Sequence, residues 1–255
     1  MKDRMKTASY FVSDAHLGIP IQGHDDRQTH LFSFLDTIAA DAEALYIVGD
    51  LFDFWIEYKS AIRPDYFPVV SKLYSFVQSG VRVHYLAGNH DFALGPFLSG
   101  VVGVSIHHDH FETGIQGKKV HLFHGDGIVK ADVGYRLLKK ILRNPFNQGL
   151  YKLLHPNIGV PLASFFSGNS RKMLANWLTE KKLEEYRKSA KHLLETSDIV
   201  IFGHTHRPEI RKFGEKVYVN TGEWIRKYTY AKMENGEIRL YEWFKDRPAE
   251  EIKFL

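Results

Sequence analysis

The chain repeats one unit: a short apolar run rich in β-branched and aromatic residues, then a turn that carries Asp, His or Asn. Residues 9–13 lead into Asp14-Ala15-His16, 44–48 into Gly49-Asp50, and 81–86 into Gly88-Asn89-His90-Asp91. Residues 118–123 lead into His124-Gly125-Asp126, and 198–202 into Gly203-His204-Thr205-His206. Near-continuous apolar runs of this length mark strands buried on both faces. Between them, 27–40 shows helical spacing at Leu31, Phe34, Leu35 and Ile38, and 68–79 predicts a second helix stopped by Gly80. Residues 101–106 read as a further strand, and 209–213, 217–220, 225–232 and 237–241 as closing antiparallel strands. The pattern predicts an α/β fold, two facing sheets flanked by helices, in a single domain over 1–255.

Residues 127–195 break the pattern with a mainly helical insertion. About a dozen basic residues against about five acidic ones are interleaved there with Leu138, Ile141, Leu142, Phe146 and Leu150. Part of that apolar surface packs on the body. More is present than one amphipathic helix needs, so a cap that receives an acyl chain or rests on a bilayer stands beside plain packing.

Composition narrows the class. The absence of cysteine removes disulfides and thiolate metal sites and is compatible with a reducing cytosol. Residues 1–7 are charged, and no run approaches the roughly 18 apolar residues of a membrane span, so neither a secretory signal nor an integral helix is expected. A net charge of +4 suits an anionic substrate, nucleic acid, an anionic membrane surface, or simple solubility.

Loops at the carboxyl ends of strands are where α/β proteins build sites. One histidine there is usually structural, but five strand ends that each carry hard or borderline ligands point to a metal centre. Asp14 and His16, like His204 and His206, stand two apart, which puts each pair on one side of extended chain. Asp14, His16, Asp50, Asn89, His124, His204 and His206 exceed what one ion with open positions uses; two ions sharing the Asp50 carboxylate use them all. Oxygen and imidazole donors without sulfur suit manganese first, with iron or zinc as alternatives. Two such cations activate water and neutralise a phosphoryl group, which points to hydrolysis of a phosphate ester or anhydride. His90 is surplus to the donor set and is placed to protonate the leaving oxygen, with Asp91 fixing its tautomer. Asp53 reads as a supporting carboxylate, and Phe52, Phe54 and Trp55 as core more readily than as an apolar subsite.

The five blocks Asp14-Ala15-His16, Gly49-Asp50, Gly88-Asn89-His90-Asp91, His124 and Gly203-His204-Thr205-His206, in that order, resemble the calcineurin-like metallophosphoesterases. The resemblance implies a four-layer αββα sandwich of two mixed sheets. It implies one ion among Asp14, His16, Asp50 and His206, and another among Asp50, Asn89, His124 and His204. Finer features resemble the branch that hydrolyses the pyrophosphate of UDP-2,3-diacylglucosamine in lipid A synthesis. They are the run from Gly49 to Trp55, His90-Asp91-Phe92 followed by Leu94-Gly95, His124-Gly125-Asp126 with Asp132 and Tyr135 downstream, and the run from Gly203 to Pro208. That branch implies UMP and 2,3-diacylglucosamine 1-phosphate as products and the insertion at 127–195 as a helical lid over acyl chains. It makes Asp132, Tyr135, Ser167, Asn169, Arg171 and Lys172 candidate substrate contacts. It also implies a cytoplasmic protein resting peripherally on the inner face of the cytoplasmic membrane, with a UDP-linked glycolipid as substrate and no stable nucleic-acid partner. Many members carry arginine after the Asn, whereas this chain has His90, as general phosphoesterases do. Two other readings stand beside this one: a soluble metal-dependent phosphodiesterase or phosphatase acting on nucleotides or nucleic acid, and a non-catalytic scaffold of the same fold.

Overall fold

The computed structural model describes residues 6–18, 26–59, 61–129, 133–162 and 178–254. Its first sheet holds four parallel strands, β1 (Ala8–Val12), β2 (Ala42–Val48), β3 (Arg82–Leu86) and β4 (Ser105–His107). Antiparallel β10 (Thr229–Glu234), β11 (Glu237–Glu242) and β12 (Glu250–Ile252) extend it beyond β1. The second sheet has the order β5 (Phe111–Ile115), β6 (Lys118–Phe123), β7 (Ile199–Phe202), β9 (Lys216–Asn220), β8 (Glu209–Phe213), with β6, β7 and β9 parallel.

The central strands β1, β2 and β7 bury both faces, which is why those runs are apolar throughout and do not alternate. On one face of the first sheet Phe11, Ala44, Val48 and Leu86 meet Val120, Leu122, Ile201 and Val219 of the second. The opposite face carries Tyr10, Val12, Leu45 and Ile47, covered by α1 (Arg27–Ile38) and α2 (Phe67–Gln78). The outer face of the second sheet is covered by Leu183, Tyr186 and Ala190 of α5 (Glu180–Leu193). The layers therefore run helix, sheet, sheet, helix, held by side chains worth about 1.5–3 kcal/mol each on burial. Between β6 and β7 lie α3 (Val133–Arg143) and α4 (Pro145–Tyr151), neither of which buries a single side chain. Among the described residues no helix is long and apolar enough to cross a membrane.

The structure corrects the reading of 101–106 as a strand. Residues Phe97–Val102 form a wide helical turn closed by Gly103 at φ 85°, and the strand is Ser105–His107. The buried Glu57 carboxylate accepts from the N–H groups of Gly95 and Phe97 at 3.0 and 2.9 Å, which starts the turn as a helix cap would. The strand expected over 225–232 begins at Thr229, because Trp224 and Ile225 are buried in the loop before it. β5 and β12 escaped notice because Glu112 and Gly114 break the apolar pattern of the first and the second is only three residues long, two of them exposed glutamates.

At the edge of the first sheet His84 stacks on Tyr46, ring centroids 4.7 Å apart, and its Nδ1 lies 3.2 Å from His107 Nε2. Burial, reinforced by His107 and Arg82, pushes the His84 imidazole down to about 4. The unfolded chain, with His near 6.5, thus binds more protons than the fold between about pH 6.5 and 4, so stability is present above that window and lost as pH falls through it. His84→Phe should reduce the loss of unfolding free energy from pH 6.5 to 4.5 by an amount on the order of 1 kcal/mol after solvent screening, read from denaturant melts at each pH. An identical pH profile in the variant would rule out His84 as a contributor.

Candidate metal centre

All five polar turns leave the carboxyl ends of parallel strands, three from the first sheet and two from the second, and meet where the sheets face each other. The backbone is left-handed at Asp14 (φ 56°), His16 (φ 45°), Asp50 (φ 54°), His204 (φ 67°) and His206 (φ 55°). Non-glycine residues adopt this region at a cost of roughly 1–2 kcal/mol each, and they persist there only where surroundings over-determine them. Gly88 is required by close approach, since a Cβ there would lie 2.0 Å from Asp50 Oδ1.

Asp14, His16 and His206 form one cluster, with His16 Nε2 3.4 Å from His206 Nε2 and Asp14 Oδ1 3.3 Å from the latter. Asp50, His124 and His204 form another. Asn89 Oδ1 joins it, 3.0 Å from His124 Nε2. The two clusters meet at one atom: Asp50 Oδ2 lies 3.8 Å from His16 Nε2 and 3.4 Å from His124 Nε2. All seven expected donors are thus brought together, and Asp50 stands at the junction.

The outer nitrogens are held from behind. His124 Nδ1 lies 2.8 Å from Val48 O, a carbonyl that only accepts, so Nδ1 carries the proton and Nε2 presents its lone pair inward in the neutral ring. Asp53 Oδ1 stands 3.4 Å from His16 Nδ1, and Glu223 Oε2 stands 3.3 Å from His206 Nδ1. A carboxylate behind a ligating imidazole raises its basicity and fixes its ring. Glu223 was missed in the sequence, although it follows β9 in the Asn220-Thr221-Gly222-Glu223 turn, a strand-end pattern like the other five.

The electrostatics suit cations. Burial would lower His124 and His206, but the carboxylates of Asp50 and of Asp14 outweigh it and raise both to about 10. Burial would raise Asp50, yet His124 and His90 hold it well below the carboxylate range. His204 is held down to about 4 by burial, with His124 adding to it, and among the described residues its buried Nδ1 has no hydrogen-bond partner. Buried carboxylates drawing protons onto neighbouring imidazoles, with a neutral imidazole among them, match a set of oxygen and nitrogen donors that divalent cations would satisfy in place of those protons.

Asp91 does something other than expected. Its carboxylate accepts from the N–H groups of Gly88 (2.8 Å), Asp50 (3.1 Å) and Phe52 (3.3 Å) and from the Tyr85 hydroxyl, so it ties two site loops together. The group behind His90 Nδ1 is instead the carbonyl of Asp53, at 3.0 Å. Phe52 and Trp55 are core, while Phe54 is half-buried and meets Tyr151 of α4. The Tyr135 hydroxyl donates to Asp126 at 3.0 Å, alongside Lys139 and Arg143. Asp132, Ser167, Asn169, Arg171 and Lys172 lie outside the described residues.

A family model described as Calcineurin-like phosphoesterase matches residues 9–208. The chain is 32% identical over 262 residues to a protein of Porphyromonas gingivalis named UDP-2,3-diacylglucosamine hydrolase, covering 92% of this chain and 97% of that one. It is 30% identical over 245 residues to a protein of the same name from Haemophilus influenzae, covering 90% and 97%. A solved structure described as a novel archaeal phosphodiesterase aligns with a TM-score of 0.48 at 15% identity, covering 92% of this chain and 99% of that one.

Since Asp50 serves both clusters, Asp50→Asn should lose both ions and lower phosphoesterase activity by roughly three orders of magnitude. Metal content of the purified variant checks this, and two retained ions would remove Asp50 from the bridging position.

Proposed function

Because the chain belongs to the calcineurin-like phosphoesterase family, and is with it a metal-dependent hydrolase of phosphorus esters or anhydrides, we propose that it cleaves the diphosphate of UDP-2,3-diacylglucosamine to UMP and 2,3-diacylglucosamine 1-phosphate. The observation that carries the lipid substrate is the outward apolar surface of α3 and α4 beside the metal centre. Leu138, Ile141, Leu142, Phe146 and Leu150 are between 42% and 78% exposed there, a patch that acyl chains would cover. Relatives bearing that substrate in their names match over 90% or more of this chain, which supports the same reading.

Asp14, His16, Asp50 and His206 would hold one divalent cation, and Asp50, Asn89, His124 and His204 the other, with manganese the best match to the donors. When bound, the pair supplies a nucleophile from water at neutral pH and neutralises the phosphoryl oxygens. Asp53 and Glu223 orient His16 and His206, and Asp91 holds the Asp50 and Asn89 loops in register. His90, packed against His16 with ring centroids 4.7 Å apart and held through Nδ1, stands ready to donate a proton to the leaving oxygen. The lipid partner implies peripheral contact with the cytoplasmic face of the membrane through the insertion.

In detergent, manganese-loaded protein should release UMP from UDP-2,3-diacylglucosamine in preference to cleaving a nucleotide phosphodiester or single-stranded nucleic acid. The double variant Leu138→Ser/Ile141→Ser should raise KM for the glycolipid about tenfold. Faster turnover of either soluble substrate would refute the lipid assignment and leave the hydrolase. His90→Ala should slow cleavage about a hundredfold for an alkoxide leaving group and much less for a nitrophenolate, with both metals retained. Equal losses for the two leaving groups would make His90 a positioning residue.

A further inference from the structure

Helix α3 buries no side chain, so polar contacts attach it to the body. Tyr135 and Lys139 both end on the Asp126 carboxylate, and Arg143, the last residue of the helix, reaches three strand-end turns at once. Its Nη1 donates to His108 O at 2.9 Å, beyond β4, and its Nη2 to Gly88 O at 3.0 Å, beyond β3. Nη2 also lies 3.4 Å from Oδ2 of Asp126, beyond β6. The side chain is 21% exposed, unlike the fully outward Arg136 and Lys140 of the same helix. β3 and β4 pair in parallel with Leu86 opposite His107, so Gly88 and His108 leave adjacent strand ends, and the planar fork of a guanidinium suits two neighbouring carbonyls.

Gly88 is where this clamp meets the metal centre. Its N–H donates to Asp91 at 2.8 Å, its carbonyl accepts from Arg143, and a Cβ on it would lie 2.0 Å from Asp50 Oδ1. The residue is thus held on three sides. The Gly88 carbonyl shares one rigid peptide plane with the N–H of Asn89, so fixing that oxygen fixes the chain from which the Asn89 side chain springs. Asn89 is the only amide among the seven donors, with Oδ1 3.0 Å from His124 Nε2. An amide oxygen carries no net charge to draw a cation toward it, so its contribution depends on being placed in advance.

We propose that Arg143 is a positioning residue for the metal centre: reaching in from the insertion, it holds the Gly88–Asn89 peptide and so sets the affinity of the site formed by Asp50, Asn89, His124 and His204. The proposal rests on the two-ion reading above and is independent of the substrate. Simple electrostatics predicts the opposite effect. A guanidinium repels nearby cations, so its removal would tighten metal binding if charge alone mattered, whereas loss of the clamp weakens it. The coupling is reciprocal, so α3 is steadied against the body in turn when the site is filled.

Calorimetric titration of metal-stripped wild type, Arg143→Met, Asn89→Ala and the double variant with manganese tests this, with Arg143→Lys as the conservative change. Wild type should take up two ions. Arg143→Met should bind one as wild type does and the other about tenfold more weakly, and Arg143→Lys, which keeps a donor but not the fork, should lose less. In Asn89→Ala, where the donor itself is gone, adding Arg143→Met should weaken binding no further. Hydrogen exchange in α3 should slow when manganese is added to wild type and not when it is added to Arg143→Met. Arg136→Met, which removes an exposed cation of the same helix, should match wild type in both measurements. Unchanged or tighter binding in Arg143→Met, a loss that adds to that of Asn89→Ala, or undiminished protection of α3 overturns the proposal while leaving the two-ion reading in place. Equal weakening of both ions, as a general loosening of the fold would give, overturns it as well. A wild type that takes up a single ion overturns the two-ion reading and the proposal with it.

Discussion

Asp50 is a carboxylate almost wholly out of water, set where two sheets meet, and the rest of the site is arranged around that fact. A buried charge is tolerated only when paired and hydrogen-bonded. One oxygen of Asp50 accepts from the His90 N–H at 2.9 Å, and the other lies among imidazoles from three different strand ends. Neither sheet alone can provide this. The first contributes His16 and Asp50, the second His124 and His204, and the apolar interface between the sheets is what keeps them in reach.

Holding donors so close requires backbone that is unfavourable locally. Asp14, His16, Asp50, His204 and His206 all sit at positive φ, so the strain is concentrated at the strand ends that carry the chemistry. Rigid neighbours maintain it. Asp91 collects three backbone N–H groups from two loops, and Asp14 Oδ2 accepts from the His204 N–H at 2.9 Å, tying a loop of one sheet to a loop of the other. Donors fixed in this way need little rearrangement to take up cations.

The insertion obeys a different rule from the body. The sheets and their covering helices bury apolar faces, whereas α3 and α4 leave theirs exposed. That exposed apolar surface shares its helix with the basic side chains of Arg136, Lys139, Lys140 and Arg143.

The donors were legible in the sequence because the cues are local: an apolar run predicts a buried strand, and the Asp, His and Asn at its carboxyl end are read directly from the next few residues. Spacing put Asp14 and His16 in one cluster as expected, but His204 and His206 go to different clusters, because the backbone at these positions is left-handed and not the extended chain that alternation assumes. The helical turn at Phe97–Val102 was not legible, because it starts on the carboxylate of Glu57, about forty residues earlier in the chain. Nor was the carbonyl of Asp53 behind His90, the Glu223 carboxylate behind His206, or Arg143 reaching Gly88. The sequence by itself determined which residues stand at strand ends and what chemistry they carry. Which partner orients each of them was settled only by the folded chain, because those contacts join segments far apart in the sequence and depend on how the two sheets pack.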